Sequence, residues 1–232
     1  MSLVSFEIVD SVAHLRMDDG KANALSYAMM DELDAAFTRA EKEAKAAILS
    51  GRSGKFSAGF DLKEMMAGPD RARALVSRGA DLLLRAYLLP LPFVTVATGH
   101  ALAGGALLLA TGDVRIASRG PFQIGLNEVQ IGLPVPVLAM ELARDRLAPA
   151  HFIAATMFAT IYDPEHAKVA GWVDEVADDG DAVQRGHAYA KKLTGLNTSP
   201  YARSKEIMRE RTVKYIKETL PHDLERLVPS PS

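Results

Sequence analysis

The chain has 232 residues, of which 48% are hydrophobic and 24% charged, and its formal net charge at pH 7 is −2. A chain of this length and composition can bury enough apolar surface to fold as one large globular domain, which excludes disorder as its main state. Because Lys and Arg are spread along the chain, the charge argues against a general nucleic-acid binder, although a small patch could still hold one phosphate group.

The sequence contains no cysteine. This excludes a disulfide framework, a thiolate zinc site, an iron–sulfur cluster and a cysteine nucleophile. The longest apolar stretches, such as residues 101–110, are too short to span a bilayer. The first ten residues include Glu7 and Asp10 and no basic segment, so no signal peptide is predicted. These features predict a cytoplasmic protein that binds neither nucleic acid nor membranes.

The hydrophobic pattern predicts short strands that alternate with helices. Strands are predicted at residues 3–8, 12–17, 46–49, 94–98, 114–117 and 172–176. Ser26 is placed to cap a first helix that ends before Ala46, and Pro90 and Pro92 end a long helix over 70–89. Further helices are predicted at 60–66, 103–110, 137–146, 149–156, 164–170, 181–193, 200–219 and 222–227. The alternation predicts an α/β fold, with a core over 1–180 and a C-terminal helical region over 181–232.

Two turns rich in small residues could carry chemistry. One spans residues 56–62 and the other residues 99–106, and each leads into a predicted helix. Either turn alone could serve only tight helix–strand packing. Two such turns, each after a predicted strand, could aim two backbone N–H groups at one carbonyl oxygen, which is the construction of an oxyanion hole.

Among the ionisable residues, Glu128 is the strongest candidate for a general base. It lies in the otherwise apolar stretch 124–137, where desolvation would raise its pKa, although a surface glutamate at a helix start would fit the same pattern. The six histidines are isolated in the sequence, and no pair has metal-ligand spacing, so no metal site is predicted. His100, beside the second turn, is expected to be a packed structural residue, and Asp113 a turn cap.

Four segments together resemble the crotonase superfamily, the enoyl-CoA hydratases and isomerases. In the order of this chain they are residues 23–26, 56–65, 103–113 and 167–174. The resemblance implies a ClpP/crotonase-like spiral of ββα units that forms two roughly perpendicular sheets, followed by C-terminal helices that mediate trimer contacts. It also implies an acyl-CoA thioester substrate and a homotrimer or a dimer of trimers. Coenzyme A belongs to the substrate, and no metal or redox cofactor is implied.

The resemblance also assigns roles to residues of this chain. The N–H groups of Phe60 and Gly104 would polarise the thioester carbonyl, and Glu128 would act as the base. Coenzyme A would be held largely by main-chain atoms, with binding residues at Ala22, Ala24, Ala58, Gly59, Asp61, Leu62 and Gly105.

The chain departs from the hydratase pattern at Leu107, six residues before Asp113, where hydratases of the family typically carry a second glutamate. The segment 124–128 and Leu107 are similar to the mitochondrial Δ3,Δ2-enoyl-CoA isomerases. The resemblance therefore favours an enoyl-CoA isomerase with one glutamate base. The alternatives are an enoyl-CoA hydratase of fatty-acid oxidation, a non-catalytic acyl-CoA-binding homologue, and a decarboxylase or thioesterase on the same scaffold.

Overall fold

A computed structural model describes residues 2–178 and 180–227. Its strands are β1 Val4–Val9, β2 Val12–Met17, β3 Ala46–Ser50, β4 Gly54–Ser57, β5 Phe93–Ala97, β6 Gly99–Leu102, β7 Val114–Ser118, β8 Ile124–Gly125 and β9 Glu175–Ala177. Its α-helices are α1 Tyr27–Glu43, α2 Leu62–Met65, α3 Pro69–Tyr87, α4 Gly104–Ala110, α5 Val137–Arg144, α6 Pro149–Thr156, α7 Pro164–Ala170, α8 Ala182–Leu193 and α9 Thr198–Leu227. A 3₁₀ turn covers Val129–Ile131. The predicted α/β alternation is confirmed.

In the described residues the larger sheet has six strands in the order β1-β2-β3-β5-β7-β9. The β1–β2 pair is antiparallel, and all the other pairs are parallel. One face packs into the main core with α1, α3, α4 and α5. The other face carries Ile48, Val94 and Ile116, which pack against Ala182 and Ala190 of α8. Burial on both faces explains why these strands read as continuous apolar runs.

A second, three-stranded sheet has the order β4-β6-β8, with parallel pairs. The resemblance implied a second sheet, but the hydrophobic pattern predicted none of its strands. They are two to four residues long and each includes a glycine, so no period-2 alternation develops. Gly99 is required by close packing, because a Cβ there would overlap the backbone of Gly54 on the neighbouring strand.

The C-terminal helix differs from the prediction. Two helices were expected at 200–219 and 222–227, but α9 is one continuous helix with Pro221 inside it. Contacts on both sides of the proline hold the helix on the core: Leu220 packs against the core, and Asp223 Oδ2 accepts a hydrogen bond from the Val137 N–H at 2.6 Å. Tertiary contacts therefore outweigh the local cost of proline.

Asp113 anchors α9 to the core. Its carboxylate accepts hydrogen bonds from Tyr201 Oη at 2.5 Å, Lys205 Nζ at 2.6 Å and Arg209 Nη2 at 2.8 Å. It also accepts one from the Phe93 N–H at 2.8 Å. The two cationic side chains are almost fully buried. Asp113 was expected to be a turn cap, and its larger role was missed because its partners follow 88 to 96 residues later.

The last strand is shifted from its predicted position. β9 covers Glu175–Ala177 rather than 172–176, and Trp172, which is fully buried, packs in the main core before the strand begins. Arg115 of the neighbouring β7 fixes this turn, because its guanidinium pairs with Asp174 and donates to the Gly171 carbonyl. Within the described ranges, none of the helices combines the length and apolar character needed to cross a bilayer.

Candidate active site

The fold brings the two small-residue turns into direct contact. The turn after β4 contains Gly59 at φ +92°, and a Cβ there would lie 2.9 Å from Ala103 Cβ and 3.0 Å from the Gly104 nitrogen. Gly105 packs just as closely, because its Cβ would overlap the Ser57 carbonyl. Glycine at these positions therefore allows the approach of the two backbones that an oxyanion hole requires.

Each turn presents a backbone N–H that is free to bind a ligand. In the described part of the chain, neither the Phe60 N–H nor the Gly104 N–H reaches a hydrogen-bond acceptor. Gly104 is the first residue of α4, so its N–H has no partner inside the helix and gains partial positive charge from the helix dipole. The Phe60 ring packs against Gly79 of α3 and Gly104, which fixes the first turn against the second.

The backbone is strained at the start of α4. Ala103 has φ +50° and ψ −126°, a conformation that a residue with a Cβ rarely adopts. Its N–H donates to the Gly125 carbonyl at 3.0 Å, and its own carbonyl accepts from the Ala106 N–H at 2.9 Å. These bonds hold the peptide that leads into Gly104, so the orientation of the Gly104 N–H is set by the neighbouring strand β8.

Glu128 lies beside these turns in a small apolar cavity of about 180 Å³. Its neighbours in the lining come from both turns, from α2 to α5 and from the segment before α5: Ala58, Phe60, Leu62, Met65, Val76, Ala103, Leu107, Asn127, Ile131, Leu133, Pro136 and Leu138. Burial raises the pKa of the Glu128 carboxyl above its usual 4.5, opposed only by the nearby backbone N–H groups of Glu128 and Asn127. Its Oε2 atom is buried with no hydrogen-bond partner in the described residues. A desolvated carboxylate with a free oxygen can accept a proton from a bound ligand.

Leu107 forms part of the same lining. It lies on α4 and is 2% exposed, so its side chain belongs to both the cavity and the core. Among the lining residues, Glu128 and Asn127 alone have polar side chains. The cavity therefore offers one carboxylate, faced by apolar side chains.

The predicted coenzyme-binding segments also lie together. The Ala58 N–H donates to the Ala22 carbonyl at 3.0 Å, and the Leu25 N–H donates to the Gly59 carbonyl at 2.8 Å. Ala24 lies between these two contacts. Asn23 opens the segment 23–26 that carries part of the resemblance, but the sequence predicted no role for its side chain, which is fully buried at φ +52°. Its side chain donates to the carbonyls of Met17, Lys55 and Phe56, so it ties the first loop to the first turn.

The remaining predicted binding residues have separate local roles. Asp61 caps α2 by accepting a hydrogen bond from the Lys63 N–H at 2.9 Å. Leu62 follows it, lines the cavity and is 65% exposed. Gly105 is buried against Ser57, so its closest contacts are with the protein backbone.

The histidines lie outside the cavity lining. His100 accepts a hydrogen bond from the Gln123 N–H at 3.1 Å and packs edge-on against Phe122, as expected of a structural residue. His14 and His187, isolated in the sequence, form a hydrogen-bonded pair with their ring nitrogens 2.8 Å apart. Among the described residues no group of three His, Asp or Glu side chains is placed to hold a metal ion.

Comparison with known proteins identifies the scaffold. The profile of the enoyl-CoA hydratase/isomerase family matches residues 7–227. The chain belongs to this family. A solved enoyl-CoA hydratase/isomerase family protein from Pseudomonas syringae is 36% identical to it, with a TM-score of 0.94 over 97% of this chain and 98% of that one. The expected crotonase superfamily and its fold are therefore confirmed.

Two relatives of this hydratase/isomerase carry different activities in their names. The mitochondrial enoyl-CoA delta isomerase 1 of Rattus norvegicus is 28% identical over 90% of this chain and 74% of its own length. A probable enoyl-CoA hydratase of Bacillus subtilis is 32% identical over 57% of this chain and 53% of its own length. The family implies an enzyme that acts on a coenzyme A thioester, and the choice between the two reactions depends on the chemistry of the site.

Proposed function

We propose that this enzyme is an enoyl-CoA isomerase, which converts a 3-enoyl-CoA into a 2-enoyl-CoA. The observation that carries the proposal is the composition of the cavity: it contains the carboxylate of Glu128, and Leu107 lies where family hydratases typically have a second glutamate. Membership of the enoyl-CoA hydratase/isomerase family does not depend on which of the two reactions the enzyme catalyses.

The reaction needs one base that acts twice. Glu128 removes a proton from C2 of the substrate, and the electron pair moves into a dienolate whose negative charge lies largely on the thioester oxygen. The carboxylic acid so formed delivers the proton to C4, and the double bond moves from C3–C4 to C2–C3. No water, metal or redox cofactor takes part in these steps.

The two free N–H groups would stabilise the intermediate. Phe60 and Gly104 are on adjacent turns, and a thioester oxygen placed between them would accept both hydrogen bonds as its charge develops. In other enzymes the loss of one such donor costs about 10²–10³ in rate, so two donors account for a substantial part of the acceleration. The raised pKa of Glu128 adds basicity suited to abstraction of a weakly acidic proton.

Hydration would make a different demand on the site. A hydratase must activate water and also deliver a proton to the α-carbon, and two carboxylates can divide that work. With Leu107 in the lining, the cavity supplies one carboxylate and an apolar surface that does not bind water. This contrast favours isomerisation over hydration.

Two substrates and one variant test the proposal. The parent enzyme is expected to isomerise 3-hexenoyl-CoA faster than it hydrates crotonyl-CoA. Glu128→Gln keeps the side-chain shape but removes the base, so kcat is expected to fall by at least about 10²–10⁴ while KM changes little. Glu141→Gln is the control, because Glu141 lies on α5 and outside the cavity lining.

The outcomes separate the alternatives. Faster hydration than isomerisation would favour the hydratase, and binding without turnover would favour a non-catalytic homologue. Release of free coenzyme A or of carbon dioxide from suitable thioesters would favour the thioesterase or decarboxylase. Retention of most turnover by Glu128→Gln would overturn the role of this residue.

A further inference from the structure

The size of the cavity limits the acyl group that it can enclose. Its volume is about 180 Å³, below the ~300–1,000 Å³ of pockets that enclose drug-sized ligands. At roughly 30 Å³ for a group the size of a water molecule, it holds about six non-hydrogen atoms, close to the six carbons and one oxygen of a hexanoyl group. The lining includes Ala58, Phe60 and Ala103 of the two turns, so this space has to accommodate the acyl group from its carbonyl carbon onward.

The inner wall of the cavity is rigid and its rim is open. Val76, Leu107 and Leu138 are at most 2% exposed, and they come from three helices that pack into the main core. By contrast, Leu62 is 65% and Ile131 is 53% exposed. An acyl chain that enters past the rim therefore ends against side chains that cannot move without repacking the core.

We propose that the enzyme selects acyl groups of about six carbons or fewer, and that Leu138 sets this limit together with Val76. The inference rests on the proposed acyl-CoA function but not on the choice of reaction. Leu107 also belongs to the wall, but the resemblance gives hydratases a second glutamate at this position, so a change there would also bear on the proposed reaction. Leu138 and Val76 lie on α5 and α3, which carry neither the proposed base nor the proposed N–H donors.

The proposal predicts a break in affinity along a series of saturated acyl-CoAs. Each methylene that the cavity buries contributes about 0.8 kcal/mol, which corresponds to about a fourfold tighter Kd. From butanoyl- to hexanoyl-CoA the Kd is therefore expected to tighten about 16-fold. From hexanoyl- to octanoyl- and dodecanoyl-CoA it is expected to stay constant or weaken. Titration calorimetry measures this without turnover.

Leu138→Ala tests the assignment of the limit. The substitution removes three carbon atoms from the wall, so the break is expected to move to about eight carbons, with octanoyl-CoA binding up to about 16-fold more tightly than hexanoyl-CoA. Leu142→Ala is the matched control, because Leu142 is fully buried on the same helix but lies outside the cavity lining. It should lose comparable stability and keep the break at six carbons. If Leu138→Ala does not fold, Val76→Ala should move the break by one to two carbons.

The possible results distinguish this inference from the function on which it rests. Affinity that rises steadily to dodecanoyl-CoA in the parent enzyme would overturn the size limit and leave the isomerase proposal standing. A break at six carbons that Leu138→Ala and Val76→Ala leave in place would overturn the assigned residues. No binding of any acyl-CoA would overturn both proposals. A break that moves as expected in an enzyme without isomerase activity would support the size limit alone.

Discussion

Glu128 is the residue through which pH is expected to control activity. Its pKa is raised by burial, and the base must be unprotonated to accept the C2 proton, so kcat/KM should fall as the pH decreases through that raised pKa. The acid limb of the profile is therefore expected to have its midpoint above 4.5, the ordinary value for glutamate. As a control, the affinity for hexanoyl-CoA is measured by calorimetry at each pH. This shows whether ionisation of the coenzyme itself changes binding. A kcat/KM that is flat down to pH 4.5 would contradict the assignment.

Leu107 offers a test from the opposite direction. Leu107→Glu adds a second carboxylate to the cavity and is expected to introduce measurable hydration of crotonyl-CoA, which is detected by loss of the enoyl absorbance. The new charge is buried, so the free energy of unfolding should fall. Leu107→Gln is the control: glutamine has nearly the same shape as glutamate but carries no charge, so this variant should not hydrate crotonyl-CoA. Equal hydration by the parent and Leu107→Glu would show that a second carboxylate is not what the parent lacks.

At the scale of elements, α9 depends on one carboxylate. Asp113→Asn leaves the buried cations Lys205 and Arg209 without their counter-charge, and breaking a buried ion pair typically costs about 3–5 kcal/mol of folding free energy. Urea denaturation followed by circular dichroism measures this loss. Asp31→Asn is the control, because the Asp31 side chain is 69% exposed in its pair with Arg78 and should change stability by less than about 1 kcal/mol. Equal effects would contradict the anchoring role of Asp113.

Local sequence signals predicted elements where proline, glycine or a cap marks the boundary. Ser26 caps α1 as expected, and α6 and α7 begin at prolines and have the predicted bounds. The strands of the small sheet were not predicted, because they are stabilised by pairing with each other rather than by a local hydrophobic pattern. The His14–His187 pair could not be predicted from spacing, since its members are 173 residues apart. The prediction that Glu128 and Leu107 belong to one site came from resemblance to a family. No local sequence pattern indicates that two side chains so far apart in the chain line the same cavity.

At the scale of the whole molecule, the surface predicts self-association. Val213 and Ile216 of α9 are buried in this chain's own core, so they are not available for a contact between copies. Three large apolar residues in the second half of α6 and directly after it are instead 54–70% exposed: Ile153, Met157 and Phe158. Three large apolar side chains so close together favour an interface between copies of the chain.

The family resemblance implies trimers, so we expect this interface to belong to a closed trimer or a dimer of trimers. Light scattering should give three or six times the chain mass of 25.0 kDa at micromolar concentration. Phe158→Asp should lower that mass, whereas Met66→Asp, a control at an 84% exposed methionine on α2's C-cap, should not. A parent protein that scatters as a 25.0 kDa monomer would refute the expectation.

The anchoring of α9 by Asp113 has a consequence for how the protein folds during its synthesis on the ribosome. Asp113 leaves the ribosome well before Tyr201, Lys205 and Arg209, which follow 88, 92 and 96 residues later. At about 5–20 residues per second, the nascent chain carries this carboxylate without its partners for roughly 5–20 seconds. The sheet can begin to assemble in that interval, but the carboxylate must stay hydrated. Closure of the core around Asp113 is therefore expected to wait until α9 has been synthesised.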